Sequence, residues 1–239
     1  MLYLPLSALL LLCVVSATPL EKRNGYKIPS TSFDSQATFD KYWSYNYPWG
    51  TDHNGGARMN KAHVAVGGGQ LTLTADKVSG QAPTSSGLAI NYLSGTVYAK
   101  EYFTIAKGGG YDFKGQFLAS TTKGTWPAFW LTGANSWPPE IDLAEWKGSG
   151  KISFNTLGVS GAKWVTKDVT YSNPGNFHNI LVEVRDGNGV DATIKFYLDG
   201  TLQATQTGKG MVGLPFWLYV KSFSFIFHHS SDDWLLTLC

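Results

Sequence analysis

The nine residues PPEIDLAEW, Pro138 to Trp146, place three carboxylates in one short apolar stretch: Glu140, Asp142 and Glu145. Charged residues make up only 15% of the chain, so the crowding needs a reason. Two carboxyl groups held close together can divide labour. One attacks as the ionised nucleophile while the other gives and takes a proton, which is the chemistry of glycosidic-bond cleavage. A helix would scatter residues 140, 142 and 145 around its circumference. A regular strand puts 140 and 142 on one face and 145 on the other. One extra residue, a β-bulge between 142 and 145, returns Glu145 to the face of the other two and turns Ile141 and Leu143 to the core. Glu140 and Glu145 then start roughly 13 Å apart along the strand. Long glutamates leaning inward bring their carboxyls toward the ~5–5.5 Å of a pair that acts with retention. The shorter Asp142 leaves room for a sugar ring and can tune its neighbours' protonation.

A solvated polar face without chemistry is the competing reading, because charge clusters usually are such faces. The stretch just upstream, GTWPAFWLTGANSW, weighs against it by adding Trp126, Trp130 and Trp137. Tryptophans are usually well buried, yet three beside three acids also supply flat apolar platforms for sugar rings. Metal binding fits poorly, since three acids on one strand without His make a poor cage.

The surrounding sequence is that of an all-β protein. QLTLTA (70–75), GTVYAKEYF (95–103), KISFNTL (151–157), NILVEVRD (179–186) and ATIKFYLDG (192–200) alternate like half-buried strands, and Gly/Ser/Asn/Asp turns separate them. No stretch holds a helical period for three turns. Such spacing predicts a β-sandwich or jelly roll in one domain from residue 24 onward. The formal charge of +2, with Lys and Arg scattered, gives no footprint for nucleic acid.

The first residues address compartment. Residues 1–17 read as a secretory signal peptide, apolar from Leu2 to Val15 and ending in small residues. That run is too short to span a bilayer with assurance, so a secreted, extracellular protein without a membrane partner is expected. Residues 18–23 form a short pro-segment ending in Lys22-Arg23, a dibasic pair of the kind cut in fungal secretion. Cys13 leaves with the signal and Cys239 is the last residue, so the domain from residue 24 has no internal disulfide and must hold by burial.

GTWPAFWLTGANSWPPEIDLAEW resembles the catalytic signature of glycoside hydrolase family 16 in its bulged form, Glu-x-Asp-x-x-Glu. Phe177-His178 before a strand, IKFYLDG (194–200) and PFWL (215–218) match the family in order. The similarity covers most of the chain from residue 24 and is strongest to secreted fungal laminarinase-like or mixed-linkage glucanases. It implies a jelly-roll sandwich of two antiparallel sheets, of the concanavalin A-like lectin and glucanase type. It also implies endo-hydrolysis of a β-linked polysaccharide with retention, here β-1,3 or mixed β-1,3/1,4 glucan. Carried over by position, Glu140 is the nucleophile, Asp142 the assisting acid and Glu145 the general acid/base. Trp130 and Trp137 become cleft residues, Trp126 their support, and Asn155 a polar residue that either meets the sugar or is buried and satisfied. No cofactor is expected, a structural Ca²⁺ is not readable from the sequence, and a monomer is the simplest state. A non-catalytic sugar-binding module, an inactive truncated member and a cell-wall transglycosylase are the alternatives. Two departures bear on substrate: Pro139 stands where the family usually has Gly, and YDFKGQFLAS (111–120) lacks the common Glu and Arg, which suits a different glucan or a different backbone sugar.

The segment after Leu218 departs further, so residues 24–218 form the expected catalytic domain and 219–239 an atypical tail. YVKSFSFIFHHSSDDWLLTLC replaces the family's next core strand, glycine-rich turn and last strand. His228-His229 and Asp232-Asp233 have no support as metal ligands. Codons for Leu218-Tyr219-Val220 can contain a common fungal intron donor, and those for Leu236-Thr237 a branch sequence. The tail is therefore expected to be translated intron, with closing strands missing and edges left unpaired. Sequencing the transcript checks this: a junction after Leu218 is expected, and a message reading through to Cys239 in soluble, active protein rules it out.

Overall fold

Strand residues that alternate between two environments need a partner layer for their apolar side, and two sheets packed face to face supply it. The computed structural model describes residues 25–159, 161–222 and 234–238. The expected signal peptide and pro-segment, both cysteines, His228-His229 and Asp232-Asp233 lie outside the described residues. Among the described residues seventeen strands, numbered along the chain, form the two sheets. The first runs β1 (Trp43–Tyr45), β6 (Thr96–Ala99), β16 (Pro215–Lys221), β9 (Ala128–Gly133), β10 (Glu140–Glu145), β11 (Lys151–Leu157) and β12 (Val165–Thr170), with β7 (Phe103–Thr104) also on β16. The second runs β15 (Thr201–Gly208), β14 (Ala192–Leu198), β13 (His178–Asp186), β8 (Gly110–Ala119), β17 (Trp234–Leu238), β4 (Gln70–Lys77), β5 (Ile90–Ser94) and β2 (Gly56–Met59), with β3 (Val64–Gly67) on β4.

The core lies between the sheets. Ile180, Val182 and Val184 of β13 meet it at every second residue, as do Phe129 and Leu131 of β9 and Phe216, Leu218 and Val220 of β16. The strands of the first sheet differ from those of the second in having both faces covered at their centre. On β9 and β16 the intervening residues Ala128, Trp130 and Tyr219 belong to a second, smaller apolar cluster on the far side of the sheet, with Tyr47, Ala57 and Met59. That cluster is the floor of the site.

The expected strands are present with adjusted ends. GTVYAKEYF is divided, with β6 ending at Ala99 and β7 starting at Phe103. One pairing differs from the all-antiparallel expectation: β2 and β5 run parallel, because a long connection rather than a hairpin joins them. Among the described residues the one α-helix, α1 (Gln36–Tyr42), is two turns long; Ser35 and Thr38 form its capping box and it buries Phe39.

The chain does not leave the first sheet after Leu218. β16 continues through Tyr219, Val220 and Lys221, paired with β6 on one side and β9 on the other. Where missing closing strands would leave a gap, β17 pairs with β4 along one edge and β8 along the other.

Gly133 ties this framework to the carboxylate strand. A Cβ there would lie 2.5 Å from Ser136 O and 2.7 Å from Pro139 Cδ, so only glycine lets the loop between β9 and β10 fold back against its own start. Gly133→Ala should lower the Tm by roughly 3–10 °C, the size expected of about 1–3 kcal/mol of overpacking. It should also reduce activity, because the displaced loop carries Trp137 and leads directly into Glu140. A variant with parental stability and activity would show that the loop yields without cost.

Candidate active site

Strand β10 carries the three carboxylates, and its register holds the extra residue. Asp142 is opposite Asn155 and Glu145 opposite Ser153 on β11, so three steps on β10 match two on its neighbour. On the other side Asp142 faces Trp130 and Ala144 faces Phe129, two steps against one. The bulge sends Ile141, Leu143 and Ala144 into the main core and lines all three acids along one cleft of about 910 Å³. Asp142 and Glu145 are buried at its floor.

Each carboxylate has its own set of partners. Trp137 Nε1 donates to Glu140 Oε2 at 2.6 Å. Asn155 presents its amide Nδ2 to Asp142 Oδ2 and to Glu145 Oε2, both at 2.8 Å; the opposite orientation would set oxygen against oxygen. Trp126 Nε1 donates to Glu145 Oε1, and Lys147 Nζ lies 2.5 Å from Glu145 Oε2. The paired carboxyls also act on one another. Burial pushes Asp142 well above the usual aspartate range, and the charges of Glu145 and Glu140 push it further. Burial also raises Glu140, opposed by hydrogen bonds from Trp137 and Asp142. Of this coupled pair Asp142 is the more readily protonated and can donate to Glu140, the more readily ionised.

The expected tryptophans divide by exposure. Trp137 stands 64% exposed at the rim while its N–H reaches Glu140. Trp130, expected as a cleft residue with core burial as the competing reading, is 3% exposed and lines the cleft: Tyr219, directly across on β16, packs 4.6 Å from it, and His53 lies 5.7 Å away. Trp130 Nε1, like Asn155 Oδ1, makes no hydrogen bond to the described protein. Trp126 supports Glu145 directly. Asn155 is buried, and it lines the same cleft.

Several lining residues escaped the sequence reading. Trp49 and His53 come from the loop between β1 and β2, and Trp164 from the segment before β12. Trp49 and Trp164 are exposed like Trp137, giving three open rings around the acids. Burial, then the charge of Lys221, pushes His53 down to about 4, so it is neutral at pH 7. Lys221 is buried in the cleft, 4.0 Å over the Trp126 ring. Burial lowers it to about 8 while Glu145, Asp142 and Glu140 favour its charge. It lies in the stretch with suspected intron origin, so splicing after Leu218 would replace this counter-charge. Alternation along Trp217, Tyr219 and Lys221 was the available signal for the cleft face of β16. Among the described residues no three His, Cys, Asp or Glu side chains are grouped to hold a metal ion.

A model of glycosyl hydrolases family 16 matches residues 51–216. A galactan endo-β-1,3-galactanase from Flammulina velutipes is 41% identical over 199 residues, covering 81% of this chain and 78% of that protein. An endo-1,3-1,4-β-glycanase, ExsH, from Rhizobium meliloti (strain 1021) is 38% identical over 85 residues, covering 35% of this chain and 17% of that protein. Among solved structures, the laminarinase catalytic domain from Thermotoga maritima MSB8 superposes with a TM-score of 0.64 at 18% identity, covering 90% of this chain and 91% of that one. Porphyranase B from Zobellia galactanivorans gives 0.66 at 15%, covering 83% and 84%. At these identities the two structures speak for the jelly-roll fold alone. The bulged strand, the fold and the family match agree: this chain belongs to glycosyl hydrolase family 16 and is a glycosidase that hydrolyses O-glycosyl bonds of polysaccharides.

Proposed function

We propose that this protein is a secreted, endo-acting, retaining hydrolase of β-1,3-linked galactan. The observation that carries the mechanism is the bulge, which sets Glu140 and Glu145 on one face with Asp142 between them. Glu140, steadied by Trp137 and Asp142, attacks the anomeric carbon as a carboxylate. The bond to the leaving oxygen breaks as Glu145 gives that oxygen its proton, and a glycosyl ester on Glu140 remains. Glu145, now a carboxylate, takes a proton from water; the water oxygen attacks the same carbon and Glu140 departs. Two displacements restore the original configuration. A cleft rimmed by the exposed rings of Trp49, Trp137 and Trp164 suits a chain bound at an internal position.

Galactan is favoured over the glucan expected from the sequence because the relative at 41% identity is a galactanase. The departures at Pro139 and in residues 111–120 already pointed away from the common glucanase pattern. Glucose and galactose differ only at O4, equatorial in one and axial in the other. Galactose thereby presents a wider apolar face to an aromatic ring, which suits the open tryptophans.

A reducing-sugar screen over β-1,3-galactan, laminarin, lichenan, cellulose and xylan tests the assignment, with galactan expected to rank first; a clear preference for laminarin would return the reading to β-1,3-glucan. Products analysed with and without an acceptor oligosaccharide separate hydrolysis from transglycosylation. Glu140→Gln should abolish turnover and keep sugar binding. Glu145→Ala should slow polymer cleavage far more than cleavage of aryl glycosides, whose leaving groups need no proton. Near-parental polymer rates in both variants would remove the catalytic assignment. The pH profile adds a check. The indole N–H lowers the proton affinity of Glu140, and Trp137→Phe removes it while keeping a ring. Glu140 then holds its proton to higher pH, so the acidic limb of kcat/KM should move up; an unmoved limb would belong to another group.

A further inference from the structure

Glu145 presents a chemical difficulty in the empty cleft. Its first task under the proposed mechanism is to donate a proton, yet Trp126, Asn155 and Lys147 all donate to its two oxygens. Both oxygens thus face donors, and a proton placed on either would point at an N–H or an ammonium group instead of an acceptor. For Glu145 to act as an acid, at least one donor must withdraw. Asn155 is buried and simultaneously bound to Asp142, and Trp126 is half-buried beneath the Lys221 ammonium. Lys147 alone of the three is an exposed, flexible chain, 47% accessible against 5% for the carboxylate it covers.

Its location suggests what draws it away. Because Glu145 protonates the leaving oxygen, the leaving-group sugar must lie on the Glu145 side of the cleaved bond. A second cavity of about 620 Å³ opens there. Lys147 lines both it and the main cleft, together with Trp126 and Asn54. The backbone just after Lys147 packs closely on the turn beside it: a Cβ on Gly148 would meet Thr122 O at 2.6 Å and Lys123 Cα at 2.8 Å.

The geometry points to Lys147 as a positioning residue that pairs with Glu145 in the empty cleft and passes to a hydroxyl of the leaving-group sugar when the second cavity fills. Occupancy of that cavity thereby releases the carboxyl to carry its proton. The exchange rests on the retaining reading of Glu140 and Glu145. The other charged groups around the pair are Glu140 and Asp142 on β10, Lys221 on β16 and Lys123 in the neighbouring turn; Asp168 on β12 is engaged by Ser153.

The test uses Lys147→Met and Lys147→Gln on the full chain, with Glu145→Ala in parallel. Substrates are the polysaccharide ranked first by the screen and an aryl glycoside with no sugar beyond the cleaved bond. Both Lys147 variants should lose about tenfold more kcat/KM on polymer than on the aryl substrate, the size of one charged hydrogen bond. On polymer the alkaline limb of kcat/KM, which reports the free enzyme, should move to higher pH. The alkaline limb of kcat, which reports the filled cleft, should stay. Lys147→Arg should restore part of the polymer rate. If the kcat/KM limb stays, or both limbs move together, Lys147 does not exchange partners and the inference fails. If Glu145→Ala loses the aryl and polymer activities alike, the acid/base reading itself fails; sparing of the aryl activity isolates the fault to Lys147.

Discussion

Three carboxyl groups share one face of a short buried strand, and the site is organised around making that tolerable. Carboxylates a few ångströms apart in a water-poor cleft repel one another, and each loses hydration on burial. The response is twofold. Burial and the charges of Glu145 and Glu140 raise Asp142 well above the usual aspartate range, which favours fewer than three charges on the trio. Donors also converge from every side: the indoles of Trp126 and Trp137, the amide of Asn155, and the ammonium groups of Lys147 and Lys221. These donors come from five different stretches of chain, so no local segment could build the site alone.

The sandwich supplies the convergence through strand alternation. In β9, β10, β11 and β16 one set of side chains fills the core and the other makes the cleft. Phe129, Ile141, Phe154 and Val220 face inward, while Trp130, Asp142, Asn155 and Lys221 line the opposite side. Core packing and cleft geometry are thus two faces of the same register. Cross-strand pairs such as Trp130 with Tyr219 and Asp142 with Asn155 follow from it directly.

What the sequence made legible was local. The spacing of Glu140, Asp142 and Glu145 announces a bulge because no regular element gathers them, and β10 contains it. The alternating runs became β4, β11, β13 and β14 with small changes at their ends. Features that depend on which strands become neighbours were not legible. Trp130 could be platform or core on sequence alone, because Tyr219 and His53, which pack against it, are distant along the chain. Trp49 sits in a turn-rich loop with no period to betray its direction, and Lys221 gains meaning only when β16 pairs with β9. The break between β6 and β7 and the parallel pairing of β2 with β5 likewise express tertiary contacts.

The bulge also sets how far this strand stands from a different biological role. Inserting a single residue between Asp142 and Glu145, beyond the one that the bulge absorbs, would turn Glu145 inward. Glu140, Asp142 and the rim tryptophans would still face the sugar, but no group would remain to protonate the leaving oxygen. Such a chain would grip polysaccharide without cutting it. On this sheet, enzyme and lectin are separated by one residue of backbone.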